Sequence, residues 1–591
     1  MMIAVSIDSV RRCFGLGSSR RLPLVTKSYP WVNGAVAALI ALGIALSSAS
    51  PARAAAAEAP EAIASAHPLA TAAGHRILEQ GGNAFDAAIA VASVLAVVEP
   101  YSSGLGGGGF WLLHRERDGR QVMVDARETA PMGVRQSMYV DAQGKPVGQA
   151  TRQGGTAAAI PGVPAALAHI AEHYGQLPLE KSLAAAIRHA REGHAVDARY
   201  ARIASLRERR LREGRGAARI FLDGGRAPRA GWQLRQPELA DTLERLAREG
   251  RDGFYEGPVA RALVASVNRA GGVWRLPDME RYRVVERAPL RFRYRDAVIT
   301  TVALPSAGGI ALAQCLNLLE RHGSGRHDAP GFAHHVIESL RRAFRDRAQF
   351  LGDGDFVQVP VERLVSEAYA ARLAATIRDD VATPSATMAA EPVATPGSAN
   401  TTHLSVVDAR GNRVAATLTI NLLFGSAIVA DGTGVLLNNE MDDFSLRPDL
   451  PNAFRLRGGE ANAIAPGKRP LSSMTPTFVE DAKGVLVLGA PGGSRIVSQI
   501  LLAVLDYTGA PAVDLAALVS GPRYHHQWWP DRVEIEPESF SDAWRSALEA
   551  KGHRIEVGKR KWGNMQAVFR SKRTGLAQAA SDPRGSDVGW Y

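Results

Sequence analysis

The stretch TTHLSVVD, residues 401–408, decides how this chain is interpreted, because the segments on its two sides differ in kind. Upstream, residues 383–400 read TPSATMAAEPVATPGSAN, which is rich in Pro, Ser, Thr and Ala and carries one charge, Glu391. Such a segment can bury little apolar surface and is typical of an exposed linker. TTHLSVVD itself is β-branched and partly alternating, which predicts a half-buried strand, and a DARGN turn and a second strand, RVAATLTI, follow it.

A threonine between a disposable linker and a rigid strand has a specific chemical use. Its hydroxyl can attack the peptide bond before it, and cleavage between Asn400 and Thr401 would leave Thr401 as a new N-terminus. A hydroxyl nucleophile and an α-amine with a pKa of about 7.7–8.0, able to act as its base, would then belong to one residue. A strand that merely begins with threonine after a loop is the simpler alternative, and the junction alone leaves both open.

The motifs around this junction resemble the γ-glutamyltranspeptidase family, a branch of the N-terminal-nucleophile hydrolases. Downstream of the linker the matching segments are TTHLSVVD, TLTINLLFGSAIVADGTGVLLNNEMDDFS, KRPLSSMTPT and GAPGGSRI. Upstream they are SAHPLATAAGHRILEQGGNAFDAAIAVASVLAVVEPYSSGLGGGGF, DARETAP and LPSAGGIAL. The resemblance extends from about Ala64 to Tyr591.

Helical patterns and hairpin patterns are mixed along the chain. Strand-like residues 110–116 and 121–125 flank Asp118-Gly119, a strong hairpin signal, and residues 332–351 have apolar positions three and four apart, as in a helix. This mixture predicts an α+β layered domain. The resemblance implies more, a four-layer αββα sandwich that two autoproteolytic subunits build jointly around one core.

The N-terminus has the pattern of an export signal. A basic stretch ends at Lys27, an apolar run covers residues 34–46, and Ala52-Arg53-Ala54 supplies a small-x-small cleavage pattern. We expect cleavage after Ala54 and a periplasmic or secreted protein, although a retained anchor is the alternative. The implied division has three parts, a signal peptide, a large subunit and a small catalytic subunit that starts at Thr401, at residues 1–54, 55–400 and 401–591.

The net charge of +11 carries limited information, because six basic residues and one acid lie ahead of Ala55. Arginines are also dense from Arg199 to Arg219, where a nucleic-acid patch is the alternative to a helix with a solvated basic face. Few aromatic residues are interleaved there, so we favour the helix and expect no nucleic-acid partner. Loss of Cys13 with the signal would leave Cys315 alone, without an intramolecular disulfide and buried in a helix.

The resemblance also implies the catalytic roles. Thr401 is the nucleophile, first for self-cleavage and then for the γ-amide of the substrate, which yields a γ-glutamyl ester. Thr419 matches the position that hydrogen-bonds to Thr401 and orients it, although a plain strand threonine would look the same. Gly492 and Gly493 match the oxyanion hole, where loss of one donor typically costs about 10²–10³ in rate; a tight strand-to-helix turn is compatible with that role.

Recognition of a γ-glutamyl group requires a cation for its α-carboxylate and an anion for its α-ammonium. Arg127, in DARETAP, matches the carboxylate partner, since a guanidinium can bind a carboxylate bidentately. Asp443 matches the ammonium partner. The resemblance implies six substrate-binding residues in all: Arg127, Asn421, Glu440, Asp443, Ser472 and Ser473.

Two positions depart from the bacterial pattern of the family. Glu440 stands where many bacterial relatives have glutamine, and it remains an acceptor for an ammonium group. Phe454, in the lid segment 448–459, stands where lid-bearing bacterial relatives have a tyrosine that hydrogen-bonds across the site to the position of Asn421. Phenylalanine has no hydroxyl to donate, so we expect a looser lid and altered access for acceptors.

Two other patterns are weaker. Residues 104–109, GLGGGG, satisfy the dinucleotide fingerprint, but a strand follows them instead of preceding them, so we expect close backbone packing near a site. Several histidines and one acid lie near each other in sequence, but without the spacing of a zinc site: His334, His335, Glu338, His525 and His526. We therefore expect neither a metal nor a cofactor.

The sequence predicts an autoprocessed enzyme that transfers the γ-glutamyl group of glutathione and related compounds to water, amino acids or peptides. Its large and small subunits would form a heterodimer. A same-fold acylase acting on the glutaryl side chains of cephalosporins is one alternative, and Asp443 argues against it because such substrates lack an α-amino group. A non-catalytic binding protein is another, and the intact Thr401 and Thr419 argue against that.

Overall fold

The computed structural model describes residues 58–214, 216–388, 401–447 and 450–585. The predicted signal peptide, Asn400 and most of the predicted linker lie outside the described residues. In chain order the strands are β1 (Ala62–Ser65), β2 (Gly108–Arg115), β3 (Arg120–Ala126), β4 (His194–Ala195), β5 (Gln233–Leu234), β6 (Val285–Arg287), β7 (Leu290–Tyr294), β8 (Ala297–Thr301), β9 (Thr402–Val407), β10 (Arg413–Thr419), β11 (Thr477–Glu480), β12 (Gly484–Gly489), β13 (Tyr524–His525), β14 (Val533–Ile535), β15 (Ile555–Val557), β16 (Gln566–Ser571) and β17 (Ala577–Ser581).

Helices make up most of the remaining regular structure. Their bounds are Pro68–Glu79, Ala84–Val98, Val163–Tyr174, Leu179–Glu192, Ala198–Glu213, Ala217–Phe221, Pro237–Glu249, Asp252–Tyr255, Gly257–Arg269, Leu276–Arg281, Gly308–Glu320, Pro330–Phe350, Val361–Leu364, Glu367–Ala374, Arg495–Gly509, Leu515–Ser520 and Asp542–Glu549. The first two are separated at Gly81, which has a positive φ, and Asn83 caps the second by accepting the N–H groups of Phe85 and Asp86.

Two six-stranded antiparallel sheets form the centre of the protein. The first has the order β1-β9-β10-β2-β3-β6 and the second β17-β16-β12-β11-β8-β7. Strands from both sides of the linker pair within each sheet: β9 pairs with β1, β10 pairs with β2, and β11 pairs with β8. The linker therefore separates two parts of one core and does not mark a domain boundary.

Side-chain alternation along the strands creates the layers. In β2 and β10, for example, Leu112 and Ala415 face the second sheet, whereas Trp111 and Val414 face a helical layer. The helices Pro68–Glu79, Ala84–Val98 and Val163–Tyr174 cover the first sheet, and Gly308–Glu320, Pro330–Phe350 and Arg495–Gly509 cover the second. The predicted αββα sandwich is confirmed.

Two predictions about individual helices are also confirmed. Cys315 lies fully buried in the helix Gly308–Glu320. The arginine-rich stretch forms the helix Ala198–Glu213, which buries Tyr200 and Ile203 and turns residues such as Arg209 to solvent. In the described part of the chain, no helix combines the length and the apolar character needed to cross a membrane.

Candidate active site

One cavity brings together almost all of the residues that the sequence singled out. The predicted residues that line it are Arg127, Thr401, Thr419, Asn421, Glu440, Asp443, Phe454, Ser472, Ser473 and Gly493. Gly492 directly precedes Gly493, and Asn400 lies outside the described residues. A wider surface cleft beside the helices Val163–Tyr174 and Pro237–Glu249 contains none of the predicted residues, so the chemistry is expected in the smaller cavity.

The strand that follows the junction fixes the position of Thr401. Thr401 is only 5% exposed and directly precedes β9. The register of β9 with β10 pairs Thr402 with Leu418, so the next position along each strand places Thr419 opposite Thr401. The next residue of β9, Thr402, points the other way and donates its hydroxyl to the buried Glu99 carboxylate at 2.8 Å. Sheet geometry therefore sets both the position and the direction of the Thr401 side chain.

The glycine-rich segment packs directly behind Thr419, as predicted from its sequence context. A Cβ on Gly107 would come within 2.0 Å of the Thr419 carbonyl oxygen, and a Cβ on Gly106 within 2.1 Å of the Leu436 carbonyl oxygen. Any side chain at these positions would displace backbone. Residues 104–109 thus let β2 and the loop after β10 approach each other closely beside Thr419.

A strained turn places Asn421 at the edge of the cavity. Asn421 has a φ of 70°, a conformation that asparagine tolerates better than most residues, and its N–H donates to the Thr419 hydroxyl at 2.7 Å. Its side-chain amide donates to the Asn439 carbonyl oxygen at 2.7 Å. Its Oδ1 is buried and has no hydrogen-bond partner among the described residues, which leaves an acceptor at the cavity.

The two predicted oxyanion-hole glycines have backbone conformations that other residues rarely adopt. They lie between the end of β12 and the start of the helix Arg495–Gly509, with φ of 138° at Gly492 and 58° at Gly493. A Cβ on Gly492 would also lie 2.8 Å from Nε2 of Gln499. The sequence Gly-Gly is therefore required by the path of the backbone, independently of any catalytic role.

The opposite wall of the cavity is a buried charge cluster centred on Arg127. The Arg127 guanidinium pairs with Glu440, with Asp443 at 2.5 Å and with Glu128 at 3.4 Å, and its Nε donates to the Pro470 carbonyl oxygen at 3.0 Å. The predicted carboxylate-binding cation and the predicted ammonium-binding acids thus bind each other. Glu440 keeps one buried carboxylate oxygen, Oε2, without a partner among the described residues.

Burial and crowding shift the protonation of this cluster. Burial raises the pKa of Glu440 and Asp443 despite the opposing charge of Arg127, and it raises the pKa of Glu128 to about 7. Burial alone would lower the pKa of Arg127, but Glu440, Glu128 and Asp443 outweigh it and raise that pKa. Three acids around one fully charged arginine therefore hold a proton more readily than free carboxylates do.

Sequence reasoning missed a second buried cation in the cavity, Arg347. It belongs to the helix Pro330–Phe350, its Nε is buried without a partner among the described residues, and burial lowers its pKa to about 10 with Asp443 opposing. The sequence does carry a signal. Helical spacing puts Arg347 on the same face as Leu340, Phe344 and Leu351. An arginine that interrupts an apolar face is unexpected for a surface residue, so this position indicates a buried role.

The two predicted serines lie beside this cluster in different states. The Ser472 hydroxyl accepts the Met474 N–H at 3.1 Å, and the Ser472 N–H donates to the Pro305 carbonyl oxygen at 2.9 Å. The Ser473 hydroxyl is buried and has no partner within the described ranges. Ser473, Asn421 and Glu440 thus each contribute a polar atom to the cavity that no described protein group satisfies, which is the expected mark of a ligand site.

The predicted lid segment is tied to the acids of the cluster. Asn452 Oδ1 accepts the N–H groups of Phe454 and Leu456 at 2.9 and 3.1 Å, while its Nδ2 donates to Asp443 Oδ1 at 3.2 Å. The Ala453 N–H donates to Asp442 Oδ2 at 2.8 Å. The half-buried Phe454 ring lines the cavity without offering a hydrogen bond. Pro448 and Asp449 of the predicted lid lie outside the described residues.

Most of the histidines noted in the sequence pair with protein groups. His525 contacts Ser498 and Gln527, and His526 contacts Asp531. His334 contacts His553 and the Arg378 carbonyl oxygen. These three histidines form polar contacts within the protein, which agrees with the packing role expected for them.

Comparison with known proteins gives a consistent relationship. The Gamma-glutamyltranspeptidase family model matches residues 70–590. The glutathione hydrolase proenzyme of Escherichia coli (strain K12) is 39% identical over 535 residues, which cover 89% of this chain and 90% of that protein. The acylase ACY 1 proenzyme of Pseudomonas sp. (strain SE83) is 36% identical over 515 residues, 85% of this chain and 88% of that protein.

Among solved structures, a cephalosporin acylase from Bacillus halodurans superposes with a TM-score of 0.79 and 28% sequence identity. The alignment covers 95% of this chain and 98% of that chain. Relatives of both kinds, hydrolases of glutathione and acylases, therefore share this architecture, and the groups around the cavity must distinguish the two activities.

Proposed function

The chain belongs to the γ-glutamyltranspeptidase family, and from that premise we propose how its residues carry out the reaction. It is a proenzyme with γ-glutamyltranspeptidase and glutathione hydrolase function. One observation carries the residue assignments: Thr401, opposite Thr419 in a central sheet, shares a cavity with a buried arginine–acid cluster. That juxtaposition supplies a nucleophile and a receptor for an amino acid head group within one site.

The proposed first step is self-cleavage between Asn400 and Thr401. The Thr401 hydroxyl oxygen attacks the Asn400 carbonyl carbon, the hydroxyl proton moves to the departing Thr401 nitrogen, and the C–N bond breaks. Asn400 is then joined to Thr401 by an ester, which water hydrolyses to a free Asn400 carboxylate and the free hydroxyl. The buried strand start holds the hydroxyl in place, and the composition of the predicted linker is compatible with a cut there.

The proposed second step uses the new α-amine. With a pKa near 7.7–8.0, roughly 10–20% of this amine is unprotonated at neutral pH, and that form takes the proton of the Thr401 hydroxyl as the oxygen attacks the substrate γ-carbonyl carbon. Backbone N–H groups at Gly492 and Gly493 stabilise the tetrahedral oxyanion. The C–N bond breaks, the amine leaves with the proton, and a γ-glutamyl ester of Thr401 remains. Water or an acceptor amine then attacks that ester.

The charge cluster provides the specificity in this proposal. An α-amino acid head group offers one carboxylate and one ammonium, so it can replace the internal pairs of Arg127 with Glu440 and Asp443 by two external pairs. The exchange keeps each buried charge paired, which matters because leaving a buried charge unpaired costs about 3–5 kcal/mol. The unpartnered oxygens of Glu440, Asn421 and Ser473 gain partners at the same time.

Both products of cleavage are expected to stay together as a heterodimer. Residues 55–400 would contribute β1, β2, β3 and β6 to the first sheet. Residues 401–591 would contribute β9 and β10, which lie between β1 and β2. The cut adds two chain ends and removes no strand pairing. We further propose export through the predicted signal peptide, residues 1–54, to the periplasm or medium.

A gel and an activity assay test the nucleophile assignment together. The wild type is expected as two bands of unequal size that hydrolyse a γ-glutamyl anilide. Thr401→Ala should give one band, folded by circular dichroism, with activity reduced by about 10⁴-fold or more. Thr401→Ser keeps the hydroxyl and should still yield two bands. A single band from folded wild type, or two bands from Thr401→Ala, would refute the assignment.

A glutaryl acylase is the second candidate, favoured by the similarity to the ACY 1 acylase and to the cephalosporin acylase structure. A glutaryl group carries the carboxylate but no ammonium, so its binding to Arg127 would leave Glu440 and Asp443 without a cation. We therefore expect kcat/KM for a γ-glutamyl anilide to exceed that for the matched glutaryl anilide by at least about 100-fold. Equal values would favour the acylase.

A further inference from the structure

Two histidines and an aspartate that are far apart in sequence come together outside the active cavity. His322 follows the helix Gly308–Glu320, His335 lies in the helix Pro330–Phe350, and Asp379 lies in the loop after Ala374. One ligand atom from each residue lies within 4.8 Å of the others. None of the three lines the active cavity.

The distances are close to those of a coordination site. Oδ1 of Asp379 is 3.7 Å from Nε2 of His335, and the two imidazole rings stack with centroids 4.3 Å apart and an interplanar angle of 16°. Ligand atoms of a tetrahedral zinc ion with bonds of about 2.0–2.2 Å are about 3.3–3.6 Å apart. Binding of one ion requires the exposed Asp379 side chain, which is 86% accessible, to rotate, and the two stacked rings to turn so that a nitrogen of each points at the ion.

Each histidine of this cluster has one buried imidazole nitrogen without a hydrogen-bond partner among the described residues. His322 Nε2 and His335 Nδ1 are buried, and neither has a hydrogen bond to any described residue. A buried imidazole nitrogen without a partner is costly, so such atoms indicate a ligand or ordered water. In His335 the nitrogen that faces the Asp379 carboxylate is the other one, Nε2, at 3.7 Å, so Nε2 is the nitrogen of His335 that a shared ion would use.

A second stacked histidine pair in the same protein serves as an internal reference. His169 and His173 stack with centroids 4.2 Å apart at 23°, almost the same geometry. One nitrogen of each ring has a partner, because His169 Nε2 contacts Glu286 Oε1 at 3.0 Å and His173 Nδ1 contacts the His169 carbonyl oxygen at 2.9 Å. Ring stacking alone therefore does not explain the free nitrogens of His322 and His335.

We propose that His322, His335 and Asp379 bind one divalent transition-metal ion of the Zn²⁺ type. Imidazole and carboxylate ligands suit Zn²⁺, Ni²⁺, Co²⁺ and Cu²⁺, and water would complete the coordination shell. Mg²⁺ and Ca²⁺ prefer all-oxygen sites and should not compete. The spacing of histidines within one segment does not indicate this site, because its three ligands come from three separate segments.

The bound ion would join two helices to the loop that leads toward the linker. The loop is already held by Lys551, whose ammonium donates to the Asp379 carbonyl oxygen and whose carbonyl oxygen accepts the Ala382 N–H at 2.7 Å. A metal bridge from Asp379 to His335 would add a connection between this loop and the helix Pro330–Phe350. The proposed role is structural and separate from γ-glutamyl transfer.

Calorimetric titration with ZnCl₂ tests the site. The protein should be the full processed enzyme, purified without a polyhistidine tag, stripped with a chelator and kept in a buffer that does not bind metals. We expect about one Zn²⁺ per chain, a visible absorption spectrum of four-coordinate Co²⁺ with CoCl₂, and no heat with MgCl₂. No saturable Zn²⁺ binding by the folded wild type would overturn the proposal.

Variants then locate the ion. His322→Gln and His335→Gln should each weaken Zn²⁺ binding by at least about 100-fold, since loss of a supporting partner alone typically costs 10–100-fold. His169→Gln with His173→Gln is the matched control and should bind as the wild type does. Hydrolysis of a γ-glutamyl anilide should be unchanged in every variant, which verifies the fold. Unchanged stoichiometric binding in the His322→Gln, His335→Gln double variant would assign the ion elsewhere and refute the site.

Discussion

The two walls of the cavity are built in opposite ways. On one wall Thr401, Thr419 and the Gly492-Gly493 turn are uncharged, and sheet register and backbone conformation fix their positions. On the other wall Arg127 already forms ion pairs with buried acids in the absence of a ligand. The first wall is rigid before any ligand arrives, whereas the second must exchange one set of ion pairs for another.

Substitutions in the two walls should therefore affect different kinetic constants. Damage to the neutral wall removes stabilisation that exists only in the transition state, so it should lower kcat. Damage to the charged wall removes interactions with the head group that persist through the reaction, so it should raise KM. Gly492→Ala and Arg127→Lys test that division directly, while Glu128→Gln tests the protonation of the charged wall and Phe454→Tyr tests the lid.

Gly492→Ala should be the most damaging of these changes. The added Cβ meets Gln499 Nε2 at 2.8 Å and strains a φ of 138°, so the backbone donors turn away from the oxyanion. We expect kcat to fall by about 10²–10³ with KM changed far less. Steady-state kinetics with a γ-glutamyl anilide measure both values.

The matched control for this variant is Gly231→Ala. Gly231 also has a positive φ, 91°, but a Cβ there would meet nothing within 4 Å. Its backbone strain should cost stability without affecting kcat. If Gly231→Ala lowered kcat as much as Gly492→Ala does, the loss would reflect strain alone and the oxyanion assignment would be wrong.

Arg127→Lys should mark the charged wall. Lysine keeps the positive charge but cannot form the paired hydrogen bonds of a guanidinium to Asp443, Glu440 or a substrate carboxylate. We expect KM for a γ-glutamyl anilide to rise by about 10–100-fold, with kcat changed less than about tenfold. Self-cleavage should still give two bands, because the proposed cleavage of the Asn400–Thr401 bond does not involve the charge cluster.

Arg413→Lys is the control for burying a lysine in place of an arginine. Arg413 is buried and pairs with Glu480 at 3.0 Å away from the cavity. Its replacement should lower stability and leave KM unchanged. A purely kcat effect of Arg127→Lys, with KM as in the wild type, would contradict the division between the two walls.

The contrast between the walls also shows what the sequence could supply. The β9–β10 hairpin was predictable because its turn is local: Asp408 Oδ1 accepts the N–H groups of Arg410 and Asn412 at 3.0 Å. The pairing of β10 with β2 joins residues about 300 positions apart, and no local pattern encodes it. Family motifs supplied the site residues in order, but they gave no indication that Arg127 pairs with the acids.

Residues outside those motifs were found only in three dimensions. Arg347 enters the cavity from a helix whose sequence looks amphipathic and charged, and its burial depends on how that helix packs on the second sheet. His322, His335 and Asp379 meet because three separate segments converge. Helical spacing marks Arg347 as an interruption of an apolar face, but only tertiary contacts show that it reaches the cavity or that the two histidines and the aspartate meet.

Glu128→Gln should change how stability depends on pH. Burial raises the pKa of Glu128 from 4.5 to about 7, so its protonated form favours the folded state. That contribution is fully present below pH 4.5 and is lost as the pH rises through about 7, at a cost of about 1–3 kcal/mol. The glutamine variant lacks this loss, so wild type should become less stable relative to it between pH 5 and pH 8.

The measurement is best made on the uncleaved Thr401→Ala background, where one chain unfolds. Thermal or urea unfolding at pH 5 and pH 8 gives the stability difference at each pH between the protein that retains Glu128 and the protein that carries Glu128→Gln. The quantity that tests the prediction is the change in that difference between pH 5 and pH 8, because removing a carboxylate beside Arg127 also lowers stability by an amount that does not depend on pH. Parallel pH profiles of the two proteins would mean that Glu128 does not hold a proton in the folded state.

The smallest effect is expected where the two walls meet, at the lid. Asn421 Oδ1, on the neutral wall, has no partner among the described residues, and Phe454 opposite it has no hydroxyl. Phe454→Tyr would supply a donor and should close the lid more firmly, at a gain of about 0.5–1.5 kcal/mol for one hydrogen bond. We expect a change of a few-fold in donor KM and in the preference among acceptor amino acids, with kcat for hydrolysis within about threefold.

Phe454→Leu, which removes the ring without adding a donor, should not reproduce the tyrosine effect. If donor KM and acceptor preference in Phe454→Tyr equalled those of the wild type, the missing hydroxyl would have no bearing on access to the site.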